Sequence, residues 1–152
     1  MGKSSSDEML IFRLENNLGH GVYQHNSYEY NPPGRVAQEI CCELIPTYED
    51  GKRCPVPSRE EEDLGKFVRQ STWDVVSLYH YGFADLSQFL RWFPHKKARG
   101  ALADAGVRLS LYKVPSAYVK VGSAQVAFRR DKATLVEKRC PVKCKALKCA
   151  SI

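Results

Sequence analysis

Val107-Arg108-Leu109-Ser110-Leu111-Tyr112-Lys113-Val114 is the stretch on which the fold reading turns. Apolar and polar residues alternate along it, the period of a strand with one face on a core. Working outward, His95 to Ala105 reads as a helix stopped by Gly106. Before it, Asp85 is placed to cap a helix carrying Leu86, Phe89, Leu90 and Phe93 at helical spacing, ended by Pro94. Trp92 and Phe93 read as core. Tyr81-Gly82-Phe83 reads as a turn. Downstream, Tyr118 to Val121 and Gln125 to Phe128 form a hairpin around Gly122-Ser123, and Leu135-Val136 are placed to extend its sheet.

The N-terminal half is less regular. Met9-Leu10-Ile11-Phe12-Arg13-Leu14 is a strand-like apolar run interrupted by Arg13, followed by a turn with Gly19 and Gly21. Asn31-Pro32-Pro33-Gly34 breaks the chain. Val36 to Leu44 fits one short helix, and Pro46, Gly51, Pro55 and Pro57 make a loop. Ser58 and Glu61 have the spacing of a capping box ahead of a helix through Leu64, Phe67 and Val68. Strand, irregular stretch, helices, then strands is an α+β order rather than alternating βαβ. The expectation is a single small domain at 9–137, with an antiparallel or mixed sheet and two or three helices. A disordered N-terminus at 1–8 and a flexible basic cysteine-bearing tail at 138–152 flank it.

Composition bounds the rest. The chain has 152 residues, 43% hydrophobic and 26% charged, ordinary for a globular protein that folds without disulfides. No apolar run approaches the roughly 18 residues that span a bilayer, and Met1 to Glu8 lacks a signal-peptide core. Gly2 and Ser6 fit a loose myristoylation pattern that is short and common. A cytoplasmic location is the expectation, with the cysteines as free thiols or metal ligands. Eight Lys/Arg stand between Arg129 and Lys148 against Asp131 and Glu137, which equals the whole net charge of +6. The rest of the chain is near neutral, so the basic tail is the expected route to non-specific nucleic-acid contact. Lys143, Lys145 and Lys148 could contact phosphate, and no aromatic residue lies among them to stack bases.

Several residues carry chemistry on two readings each. Cys140, Cys144 and Cys149 could ligate zinc, but a closed site needs four ligands and the spacing is not C-x2-C; the other readings are a solvated basic tail with reactive thiols and a peptide that folds onto an acidic partner. Cys41-Cys42 is no redox pair, and no local signature couples a cysteine to His20, His25, His80 or His95. His80, beside Tyr81-Gly82-Phe83, is either a donor or base at a cleft wall or part of an aromatic packing corner. Arg13 either clamps an anion or belongs to the polar face of a half-buried strand. Gln125, at a strand start, can bond a ribose hydroxyl or a backbone group.

Four places together resemble small phage and prophage proteins of uncharacterised role. They are Phe12-Arg13-Leu14-Glu15 with Gly19-x-Gly21-x-Tyr23; His80-Tyr81-Gly82-Phe83 with Gln88-Phe89-Leu90-Arg91-Trp92-Phe93; Gly106-Val107-Arg108-Leu109 with Tyr112-x-Val114; and Val121-Gly122-x-x-Gln125-Val126-x-Phe128. Their order also resembles the minimal ADP-ribosyltransferase-type fold. That resemblance implies an NAD-binding core in which Arg13 holds a phosphate, Tyr23 or Tyr81 lines the cofactor site, His80 lines the cleft and Gln125 holds ribose. His80 and Gln125 would then be the catalytic positions. Gln125 departs from the pattern, because transferases of this type use Glu there and Gln cannot take a proton.

The functional expectation is a phage accessory protein acting on host physiology or defence in the host cytoplasm, through such a core. The alternative is a non-enzymatic inhibitor that binds a host protein or nucleoprotein complex, with no membrane partner. The residues leave open whether the protein is an enzyme.

Overall fold

The computed structural model describes residues 7–17, 19, 21 and 63–144. Strand β1 (Glu8–Glu15) is followed, after the undescribed stretch, by α1 (Asp63–Gln70), the single turn α2 (Trp73–Val76) and β2 (Tyr79–Gly82). Then come α3 (Leu86–Trp92), α4 (Lys96–Asp104), β3 (Arg108–Pro115), β4 (Val119–Val121), β5 (Val126–Arg129) and β6 (Thr134–Arg139). Short 3-10 turns at Ser116–Tyr118 and Arg130–Lys132 join β3 to β4 and β5 to β6. The strands form two antiparallel sheets of three, ordered β1-β3-β6 and β2-β5-β4. This is the expected α+β class.

The alternating stretch is the central strand of the first sheet. Register places Phe12 opposite Leu111 and Leu14 opposite Leu109 on one face, with Ile11 opposite Tyr112 and Arg13 opposite Ser110 on the other. Alternation predicts one wet face. Instead both faces are covered, so Leu109, Ser110, Leu111 and Tyr112 are all buried. Helices α3 and α4 cover the first face with Phe89, Trp92, Phe93, Ala98 and Leu102. On the second face, Ile11, Tyr112 and Val114 pack against Val119, Val126 and Phe128 of the other sheet. At about 25 cal/mol per Å² of apolar area, two such layers supply the main drive for folding.

Three local expectations need correction. Tyr81-Gly82-Phe83 is strand, not turn: Phe12 and Phe83 exchange backbone hydrogen bonds of 2.8 and 2.7 Å, which stitch the two sheets together. Gly82 permits that approach, since a Cβ there would stand 2.5 Å from the Phe12 carbonyl oxygen. Leu135 and Val136 lie on β6, which pairs with β3 rather than with the hairpin. The basic segment is also largely part of the fold, because Arg129, Arg130, Lys132, Lys138 and Arg139 lie on β5, the following 3-10 turn and β6. The chain then turns at Pro141–Lys143, where Arg99 of α4 donates to the Pro141 and Val142 carbonyls at 3.2 and 2.9 Å. The expected boundary at 137/138 therefore falls inside β6.

Candidate functional site

Next to the seam between the sheets lies a cavity of about 380 Å³. Leu14, Val76, Phe83, Trp92 and Phe93 contribute its apolar wall, and Arg13, His80, Tyr81 and Gln125 line it with polar groups. Trp73 stands at the same cavity with 75% of its surface exposed. Each position follows from the ladders. Pairing of β2 with β5 sets His80 opposite Phe128 and Tyr81 opposite Ala127. Gln125 precedes β5, and its carbonyl accepts from Gly122 N at 2.9 Å to close the hairpin. Trp92 Nε1 donates to the Ala124 carbonyl at 3.0 Å, tying that hairpin to α3. Asp85 caps α3 as expected, its side chain accepting from Gln88 N at 2.9 Å.

Arg13, His80, Tyr81 and Gln125 thus meet at one cavity, while Tyr23 lies outside the described residues. The sequence reading missed what surrounds Arg13. Its side chain is 6% exposed, and Nε donates to Glu15 Oε1 at 2.9 Å. Nη1 donates to the Tyr81 carbonyl at 2.8 Å and Nη2 to the Gly19 carbonyl at 3.4 Å. A Cβ at Gly21 would sit 2.8 Å from Nη2, so the backbone there lies directly on the guanidinium. On the far side, the Tyr112 hydroxyl donates to Glu15 Oε2 and accepts from Arg130 Nη2, the latter at 2.6 Å. The one legible signal was Glu15 itself, two residues after Arg13 and therefore on the same strand face. Tyr112 is 97 residues away from Glu15 and gives no local sign of the contact.

The electrostatics follow from this packing. Burial works against the Glu15 carboxylate, but the Tyr112 hydroxyl and the Arg13 guanidinium outweigh it and hold its pKa below the usual value. Burial pushes Tyr112 up to about 12, helped by its bond to Glu15. Burial lowers the Arg13 pKa against the upward pull of Glu15; an arginine in that state remains a cation at neutral pH. Burial, then repulsion from Arg13 and Arg130, brings His80 down to about 4. At neutral pH the cavity therefore presents a neutral imidazole. A base that weak takes few protons near pH 7. A phosphate on Arg13 would have to share a guanidinium that already donates to Glu15 and to the Tyr81 and Gly19 carbonyls.

Cys140 and Cys144 are half-buried thiols, and burial raises the pKa of Cys144. Among the described residues no group of three or more His, Cys, Asp and Glu side chains is placed to hold a metal; Cys149 lies outside them. No helix among the described residues is long and apolar enough to cross a membrane.

Comparison with known proteins agrees with the phage resemblance. A family model described as bacteriophage T4 Y00F protein matches residues 9–141. An uncharacterised 19.7 kDa protein from the motB-dexA intergenic region of Enterobacteria phage T4 is 40% identical over 102 residues, which cover 57% of this chain and 60% of the relative. The chain thus spans about three-fifths of that relative's length. No solved structure matches the chain.

Proposed function

This chain belongs to the bacteriophage T4 Y00F protein family, and from that premise we propose that it is a phage accessory protein that acts in the host cell by binding a host component rather than by catalysis. The carrying observation is the chemistry of the cavity. Its walls are apolar and aromatic with a few convergent polar groups, the make-up of a recognition pocket. Its imidazole is depressed to about 4 and Arg13 is engaged by Glu15, which suits holding a neutral group more than moving a proton. Trp73, exposed at the cavity, is the kind of anchor that dominates protein interfaces. The host protein or nucleoprotein complex of this reading would insert an apolar side chain there.

A nucleotide reading stands second. It is favoured by the convergence of Arg13, His80, Tyr81 and Gln125 on a cavity wide enough for part of a dinucleotide. NAD would place its nicotinamide against the aromatic wall and a ribose hydroxyl on Gln125. One NMR titration with NAD separates the two. Under the binding-protein reading, amides near His80 and Gln125 stay put at millimolar NAD, and a host partner captured by the wild type is lost with Trp73→Ser. Saturable shifts at His80 and Gln125 with slow release of nicotinamide would replace that reading with an NAD-consuming enzyme.

A further inference from the structure

The face of the second sheet turned away from the first is covered in part by α1, which packs on β4 and leaves Ala127 fully buried, and of the sheet's three strands only β2 also lines the cavity. Register sets Tyr79 opposite Arg129 and Lys120 opposite Ala127, on the side away from the Val119–Phe128 packing. The 3-10 turn at Ser116–Tyr118 places Tyr118 at the rim of this face, half-buried, where it packs against the Val119–Phe128 cluster and also reaches the cations of β5 and the turn after it. Its ring centroid lies 5.7 Å from the Arg129 guanidinium carbon and 5.5 Å from Lys132 Nζ. Phe67 of α1 meets Tyr79 edge-on at 4.8 Å, and Lys120 Nζ lies 5.5 Å from the Phe67 centroid. All three rings are partly exposed. Lys120, Arg129 and Lys132 against Asp131 give this strip a net charge of +2 (three cations less one carboxylate). Asp131 itself is bound to Arg129 at 2.6 Å.

We propose that this aromatic and cationic strip binds single-stranded nucleic acid. Phosphates would lie along Lys120, Arg129 and Lys132, a sequence-independent attraction. Unpaired bases would stack on Tyr118, on the Phe67–Tyr79 pair or on the Arg129 guanidinium plane, which every base can do through its π face. Along the chain no aromatic stands among the cations from Arg129 onward, and the fold brings one to them from the connection between β3 and β4. Stacking needs bases already unpaired, so a strip of partly exposed rings favours a single strand over a duplex.

The test is fluorescence anisotropy of the full chain with a labelled oligothymidine of about 12 nucleotides, within the span such surfaces hold. A duplex of equal length and polyglutamate serve as competitors. The expected result is saturable binding to the single strand, weaker for both competitors, with a log–log salt slope of about −2 for three phosphates neutralised. Tyr118→Ala should weaken binding about tenfold, and Tyr118→Phe should restore it. Lys120→Gln with Lys132→Gln, neither of them a core residue, should make the slope shallower by about 1.4 even if Tyr118→Ala misfolds. Absent binding at low salt, an unchanged slope in the double variant, unchanged affinity in a folded Tyr118→Ala, or equal binding of duplex or polyglutamate overturns the proposal.

Discussion

Glu15 is the residue on which the interior between the sheets depends. It accepts from Arg13 and Tyr112 while 2% exposed, and Arg130 Nε stands 3.6 Å away. Removing one partner of a buried pair strands the other charge, at a cost of about 3–5 kcal/mol. Glu15→Gln should lose about that much in urea unfolding, and Arg13→Ala less, since Arg130 and the Tyr112 hydroxyl remain at Glu15; a loss below about 1 kcal/mol in both would mean the pair is solvated. Arg13→Ala is consequently a poor probe of ligand binding. Acid should act on the same cluster. His80 has a folded pKa near 4 against an ordinary 6.5, so the unfolded chain binds more protons in that window and stability falls as pH drops from 6.5 to about 4. Glu15 adds a further loss below its ordinary 4.5, because its folded pKa is lowered. His80→Gln should flatten the upper part of this profile, read as urea midpoints at pH 6.5 and 4.5; an unaltered profile would remove His80 from the account. None of this was legible at Arg13 alone. A polar residue in an apolar strand shows its alternation, but not whether the second face meets water or another sheet.

Elements were legible where their signals are local. Alternation marked β3, and Asp85 with Phe89 and Phe93 marked α3 and its cap. Gly122-Ser123 marked the β4–β5 hairpin. Replacing Asp85 by Ala removes the acceptor for Gln88 N and should cost about 1 kcal/mol in thermal or urea unfolding, as N-caps do. The strand through Gly82 was not legible, because glycine next to aromatics is also the composition of a turn. Here the glycine serves close approach: a Cβ would meet the Phe12 carbonyl at 2.5 Å and Ile11 Cγ2 at 2.8 Å. Gly82→Ala should therefore cost about 1–3 kcal/mol by forcing the seam apart, and should broaden the amide signals of Phe12 and Phe83. A neutral Gly82→Ala would show that the seam yields freely. The partner of β6 was illegible for another reason. Leu135 and Val136 carry strand propensity, but which of two sheets a strand joins is decided by contacts distant in sequence.

At the scale of the molecule, charge that reads as a tail becomes part of the body. Arg139 ends β6, and the next residues turn back onto α4, where Val142 Cγ2 lies 3.8 Å from the position of a Cβ on Gly100. Cys144 packs against the main core, and Arg139 Nη1 donates to its carbonyl at 3.3 Å. Arg99 is 9% exposed, and its guanidinium donates to the Pro141 and Val142 carbonyls. Hydrogen bonds from a charged donor are worth about 1.5–3 kcal/mol each. A chain stopped after Arg139 loses both acceptors and leaves the buried Arg99 guanidinium with only water to replace them. A chain stopped after Cys144 keeps them. The shorter chain should unfold at least about 3 kcal/mol more easily than the longer one, and Arg99→Ala should shrink the difference by the share of the two hydrogen bonds, leaving that of the Cys144 packing. If the two chains unfold together, the turn contributes nothing, and the folded domain ends with β6.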